Sequence, residues 1–155
     1  LLNIAMPVLH CISAIGGLLI PTFVQLRSQQ RLHYGVKRAI LILQLPLLLF
    51  VAVLVFYGGG VLHLMYGGQF SEIEPFLGWL IPQSYAATFI ATFGAALRAK
   101  ERPDAVTAIY GLTASLTLII GLGATWLFGL GGAIATLSSI QVVSAGAFVY
   151  RYFRS

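Results

Sequence analysis

Long apolar blocks, separated by short stretches that hold nearly all the charge, set the pattern of this chain. Residues 75–97 contain no Asp, Glu, Lys or Arg, and after Asp104 none follows until Arg151. At ~1.5 Å rise per residue, a charge-free helix of that length crosses the ~30 Å hydrocarbon layer of a bilayer. Between the two blocks lies Ala-Ala-Leu-Arg-Ala-Lys-Glu-Arg-Pro-Asp, residues 95–104. It reads as a loop between membrane spans, and its Arg98, Lys100 and Arg102 place it on the cytoplasmic side. Extended to the whole chain, the pattern predicts an all-α integral membrane protein with five transmembrane helices, at residues 1–26, 39–66, 75–97, 105–127 and 132–150. Residues 27–38, where Arg31, Lys37 and Arg38 alternate with Leu32, Tyr34 and Val36, form a cytoplasmic amphipathic segment suited to the headgroup layer.

Within the spans, prolines and sparse polar residues stand out. Pro7, Pro21, Pro46 and Pro82 each remove a backbone hydrogen bond and are the hinge candidates. Asn3 and His10 lie two turns apart on one face, either as a polar path or as interhelical hydrogen-bonding groups. Gln44 beside Pro46, Gln83 beside Pro82, and Gln141 in the last span complete the substrate-path candidates. In the third span Ser84, Thr88 and Thr92 recur at four-residue intervals beside Ala87, Ala91 and Ala95, a small-residue stripe that allows close helix packing. Smaller faces of the same kind are Gly111 with Ser115, and Gly132 with Thr136 and Ser139. Gly58, Gly59 and Gly60 should loosen the second span near its outer end. Phe128-Gly129-Leu130-Gly131-Gly132 should turn the chain tightly between the last two spans.

Composition agrees: 59% of the residues are hydrophobic and 8% charged, against roughly 25% charged in soluble domains. The formal charge of +5 does not indicate nucleic acid, because the nine Lys and Arg sit at span ends and the five-span topology puts all of them on one side. The single Cys11 permits no intrachain disulfide. No phosphate loop, no Cys/His metal spacing and no nucleophile with its base is present, so neither a cofactor nor enzymatic catalysis is expected. His63 with Glu72 and Glu74 is the only His/carboxylate grouping, read as a solvated outer loop or, alternatively, as the site of a membrane-embedded enzyme. The chain opens Leu-Leu-Asn-Ile and reads as a piece of something longer.

Four stretches carry a family resemblance. Leu64-Met65-Tyr66-Gly67-Gly68-Gln69-Phe70 resembles the outer-loop signature of the O-antigen-type polysaccharide flippases in the multidrug/oligosaccharidyl-lipid/polysaccharide exporter superfamily. Ala95-Ala96-Leu97-Arg98-Ala99-Lys100-Glu101-Arg102-Pro103 is similar to that family's small-residue helix end followed by a basic residue and proline. Gly129-Leu130-Gly131-Gly132-Ala133-Ile134-Ala135-Thr136 resembles its glycine turn into a helix start, and Pro21-Thr22-Phe23 resembles the approach to its basic cytoplasmic loop. The resemblance implies part of the C-terminal helical lobe of a two-lobed inner-membrane transporter, the N-terminal lobe being absent from this chain. That transporter would flip an undecaprenyl-diphosphate-linked oligosaccharide by alternating access. The partners so implied are membrane lipid, the lipid-linked oligosaccharide and the N-terminal lobe of the same protein. The cations with which such flippases hold the diphosphate are missing from the predicted spans, none of which contains Lys or Arg. A multidrug or cation antiporter of the same superfamily and a non-transporting scaffold are the alternatives.

Overall fold

The computed structural model describes residues 2–26, 29–66 and 78–154, and among them every regular element is helical. Helix α1 is Leu2–Gln25, α2 Gln29–Tyr66, α3 Leu80–Ala99 and α4 Pro103–Arg154. Helix α3 is the centre, packed against each of the other three. Its stripe does what small residues allow: Ser84, Thr88, Thr92, Ala95 and Ala96 are buried, and a Cβ added to Gly16 of α1 would come within 3.2 Å of the Ala91 Cβ. Small side chains let the two backbones approach closely, so dispersion contacts accumulate along the crossing.

Helix α4 doubles back on itself. Gly129 sits at φ 60°, ψ −141°, a conformation essentially reserved for glycine, and it divides the 52-residue element into two halves. The Oγ atoms of Thr113 and Ser144 meet at 2.5 Å although 31 residues separate them, and the rings of Tyr110 and Phe148 lie 5.3 Å apart. A straight helix would hold residues so distant roughly 46 Å apart, so the halves run antiparallel. At the bend, a Cβ on Gly132 would collide with the Ala124 carbonyl.

The turn from α3 to α4 is closed by backbone bonds from Glu101 N to the Arg98 carbonyl and from Arg102 N to the Leu97 carbonyl, each 3.0 Å. This paired pattern ends many helices and usually has glycine in its left-handed position, but here Glu101 occupies it at φ 58°. Pro103 then opens α4, where its missing N–H costs nothing. The core lies at this end of the bundle, built from Phe23, Leu32, Val36, Phe93, Leu97, Phe148 and Tyr152.

Several expectations are corrected. Five separate spans are not found: the described residues form four helices, of which two are long and apolar enough to cross a membrane, through Arg31–Gly60 of α2 and Pro103–Arg154. Residues 29–38 belong to α2, which is unbroken from Gln29. Leu32, Val36 and Ala39 bury against the core on one side while Arg31, Lys37 and Arg38 stay exposed, so one helix continues through the change of polarity. The triplet Gly58–Gly60 does not interrupt α2 either, because helical hydrogen bonding is available to glycine and its propensity cost is only about 1 kcal/mol per residue. Pro82 lies in the first turn of α3, where the N–H groups have no intrahelical partner to lose.

Candidate functional site

A cleft of about 560 Å³ opens between α1, α3 and both halves of α4. Ser13, Gly16 and Gly17 form the α1 wall, Ala87, Ala91 and Arg98 the α3 wall, and Tyr110, Thr113, Gln141 and Ser144 the α4 wall. From Ala87 to Arg98 the α3 wall runs about 16 Å along the helix axis. Its shape follows from residue size. Glycine and alanine on α1 and α3 leave room, and the Tyr110–Phe148 ring contact joins the two halves of α4 beside them.

The polar groups converge with a defined sense. Thr113 donates its hydroxyl hydrogen to the Ile109 carbonyl at 2.8 Å. A hydroxyl has one hydrogen to give, so in the Thr113–Ser144 contact it is Ser144 that donates. Both hydroxyls then present oxygen lone pairs, as acceptors. Gln141, half-buried, makes no side-chain hydrogen bond among the described residues, leaving an amide that can both donate and accept. On the opposite wall, Pro21 deprives the Gly17 carbonyl of its usual helical donor. Arg98 is the single charge. It belongs to the last turn of α3, where a cation complements the helix dipole, and it forms no ion pair among the described residues.

Of the sequence-derived path residues whose side chains are described, only Gln141 lines this cleft. Gln83 is buried in the first turns of α3, Gln44 is half-buried on α2, and neither amide bonds a carbonyl freed by its neighbouring proline among the described residues. His10 is exposed and outside the cleft, and the side chains of Asn3 and Pro7 lie outside the described residues. Pro21 and Pro46 are exposed, within helices that continue through them. Gly111 and Ser115 also face outward, so the inner seam of the α4 hairpin is set by Tyr110, Thr113, Ser144 and Phe148 instead. His63 is exposed, whereas Glu72 and Glu74 fall outside the described residues. No group of three metal-ligating side chains occurs among the described residues.

Comparison with protein-family models, with curated proteins and with solved structures finds no match to this chain. The chemistry of the cleft therefore has to carry the functional reading. Arg98 is the residue the sequence pattern hid. It was expected in a cytoplasmic loop, but α3 runs on to Ala99 and presents it to the cleft, supplying the cation that the spans were expected to lack. The available signal was its place one helical turn after Gly94, on the face that also carries Ala87 and Ala91.

Proposed function

We propose that this chain is part of the C-terminal lobe of an inner-membrane transporter that flips a lipid-linked, undecaprenyl-diphosphate oligosaccharide by alternating access. The observation that carries the reading is the cleft itself: neutral hydroxyl, phenol and amide groups along its walls, with one guanidinium at the end nearest the α3–α4 turn. Hydroxyls and amides suit sugar hydroxyls, and a guanidinium suits a phosphate oxygen pair. A cation as cargo is disfavoured by Arg98, which sets this reading above the antiporter alternative. The apolar outer surface, including Leu41, Leu45, Leu118 and Ile119, supports immersion in lipid. In that setting the two halves of α4 cross as a hairpin, with Arg102, Arg151 and Arg154 on the cytoplasmic side and the Gly129 bend outside. The second lobe, which this chain does not contain, would complete the cavity.

Two measurements test the proposal. In cells that depend on the complete transporter for surface polysaccharide, Arg98→Gln with Gln141→Ala should abolish complementation while protein level holds. Full complementation by that variant would remove the cleft from the transport path. In a Cys11→Ser background, a cysteine at Leu130 should react with impermeant reagent only from outside and one at Asp104 only from the cytoplasm; the reverse pattern would refute the topology.

A further inference from the structure

A second group of cations gathers outside the cleft, where α3 gives way to α4. Arg102 from the turn meets Arg151 and Arg154 from the last turn of α4 around a pocket of about 30 Å³, with Leu97 and Ala105 completing the lining. Arg151 and Arg154 are three residues apart and share a helix face. Arg154 is held by Tyr150, whose hydroxyl accepts a hydrogen bond from Nη1 at 2.9 Å and whose ring centre lies 5.8 Å from the guanidinium carbon. Guanidinium groups do not discharge near neutral pH, so three around one hollow repel each other unless an anion lies between them. Among the described residues no carboxylate pairs with any of the three.

We propose that this pocket seats the phosphate of an anionic phospholipid headgroup at the cytoplasmic surface of the bilayer. It rests on the membrane-embedded reading given above. Paired N–H groups of arginine match two phosphate oxygens at once, and basic pockets between helices on the cytoplasmic side suit anionic headgroups. A lipid is favoured over free phosphate by what flanks the arginines. Tyr150 is 61% and Phe153 67% exposed on the same last turns of α4, the placement aromatic residues take at the headgroup level, where acyl chains pass beside them.

The test is a titration of the purified chain in neutral detergent with short-chain phosphatidylglycerol, phosphatidylcholine or inorganic phosphate, reading the thermal unfolding midpoint. Phosphatidylglycerol should raise the midpoint saturably and the other two should not. The R102Q/R151Q/R154Q variant should weaken the apparent affinity roughly a hundredfold. The R31Q/K37Q/R38Q variant, which loses the same charge elsewhere, should retain it. Should the triple pocket variant not fold, Arg151→Lys keeps the charge but loses the fork, and should weaken binding while phosphatidylcholine stays inert. Undiminished phosphatidylglycerol binding by either pocket variant overturns the proposal, as does equal stabilisation by inorganic phosphate, which would mark a free-phosphate site. Alkaline carbonate extraction of expressing cells separates the two levels: a chain washed off the membrane defeats the embedded reading, whereas a retained chain indifferent to phosphatidylglycerol defeats only this one.

Discussion

Helices α3 and α2 divide the labour in the opposite way to a protein in water. Helix α3 carries the hydroxyls and amides and is the most enclosed element, with Thr88 and Thr92 both at 0% exposure. Helix α2 is the more continuously apolar, yet Leu45 is 76% and Phe56 78% exposed. In water this arrangement would waste the hydrophobic effect along α2 and desolvate polar groups along α3. In lipid, exposing leucine costs nothing, and what draws helices together is close fit between small residues and short hydrogen bonds. The contrast therefore says more about the surrounding medium than either helix does alone.

Substitutions can break or sharpen this contrast. The largest effect is expected at Phe148, fully buried with its ring against Gly94 of α3. Phe148→Ala should cost about 3–5 kcal/mol, measured as a fall in thermal unfolding midpoint in detergent, and a negligible change would mean that α3 is not the packing centre. Next is Thr92, whose buried hydroxyl finds no partner among the described residues. Thr92→Val keeps the shape and removes the orphaned group, so it should stabilise by about 1 kcal/mol; destabilisation would reveal a partner for that oxygen. Leu45→Ala on the exposed face of α2 should stay within about 0.5 kcal/mol, and a core-sized loss would show that this face is covered.

The smallest effect is a pH dependence at Lys100. Its Nζ donates to the Tyr152 carbonyl at 3.1 Å and lies 4.2 Å from the centre of that ring. Burial, and secondarily the neighbouring Arg102 charge, hold its pKa below the usual 10.5. The unfolded chain then binds more protons than the folded one between the lowered value and 10.5, so stability should rise with pH across that window. Relative to Lys100→Met, the unfolding midpoint of the native protein should climb as pH approaches 10.5. A difference that stays flat would show that Lys100 is not desolvated.

The helical class was legible in the sequence, because apolar block length marks it directly, whereas α2 starts ten residues before the predicted span. The bend at Gly129 was legible too, since glycine clusters announce a change of direction. The cleft was not. Its walls depend on which faces of four helices meet, and the small residues at Gly111 and Ser115 looked as suitable for the seam as Thr113 and Ser144. Arg98 was obscured because charge argued for a loop, while the helix stop is built by Glu101 in a conformation where glycine is the usual signal. Continuity of α2 through Arg38 and Gly60 was missed because tertiary burial of Leu32, Val36 and Leu54 overrode local polarity and glycine content.

That continuity makes α2 a mechanical lever. Thirty-eight residues span about 57 Å along the axis, nearly twice the ~30 Å hydrocarbon thickness, in a single stiff element. Its basic end is held in the core by Leu32 and Val36, which act as the fulcrum; beyond them one side of the helix buries Leu43, Leu47 and Leu54 while Leu45, Leu49 and Phe56 are exposed on the other. Turning such a rod by about 5° at the fulcrum would sweep its distant tip through roughly 4 Å. A small repacking beside the basic end would thus be geared up into a larger displacement at the other end of the helix.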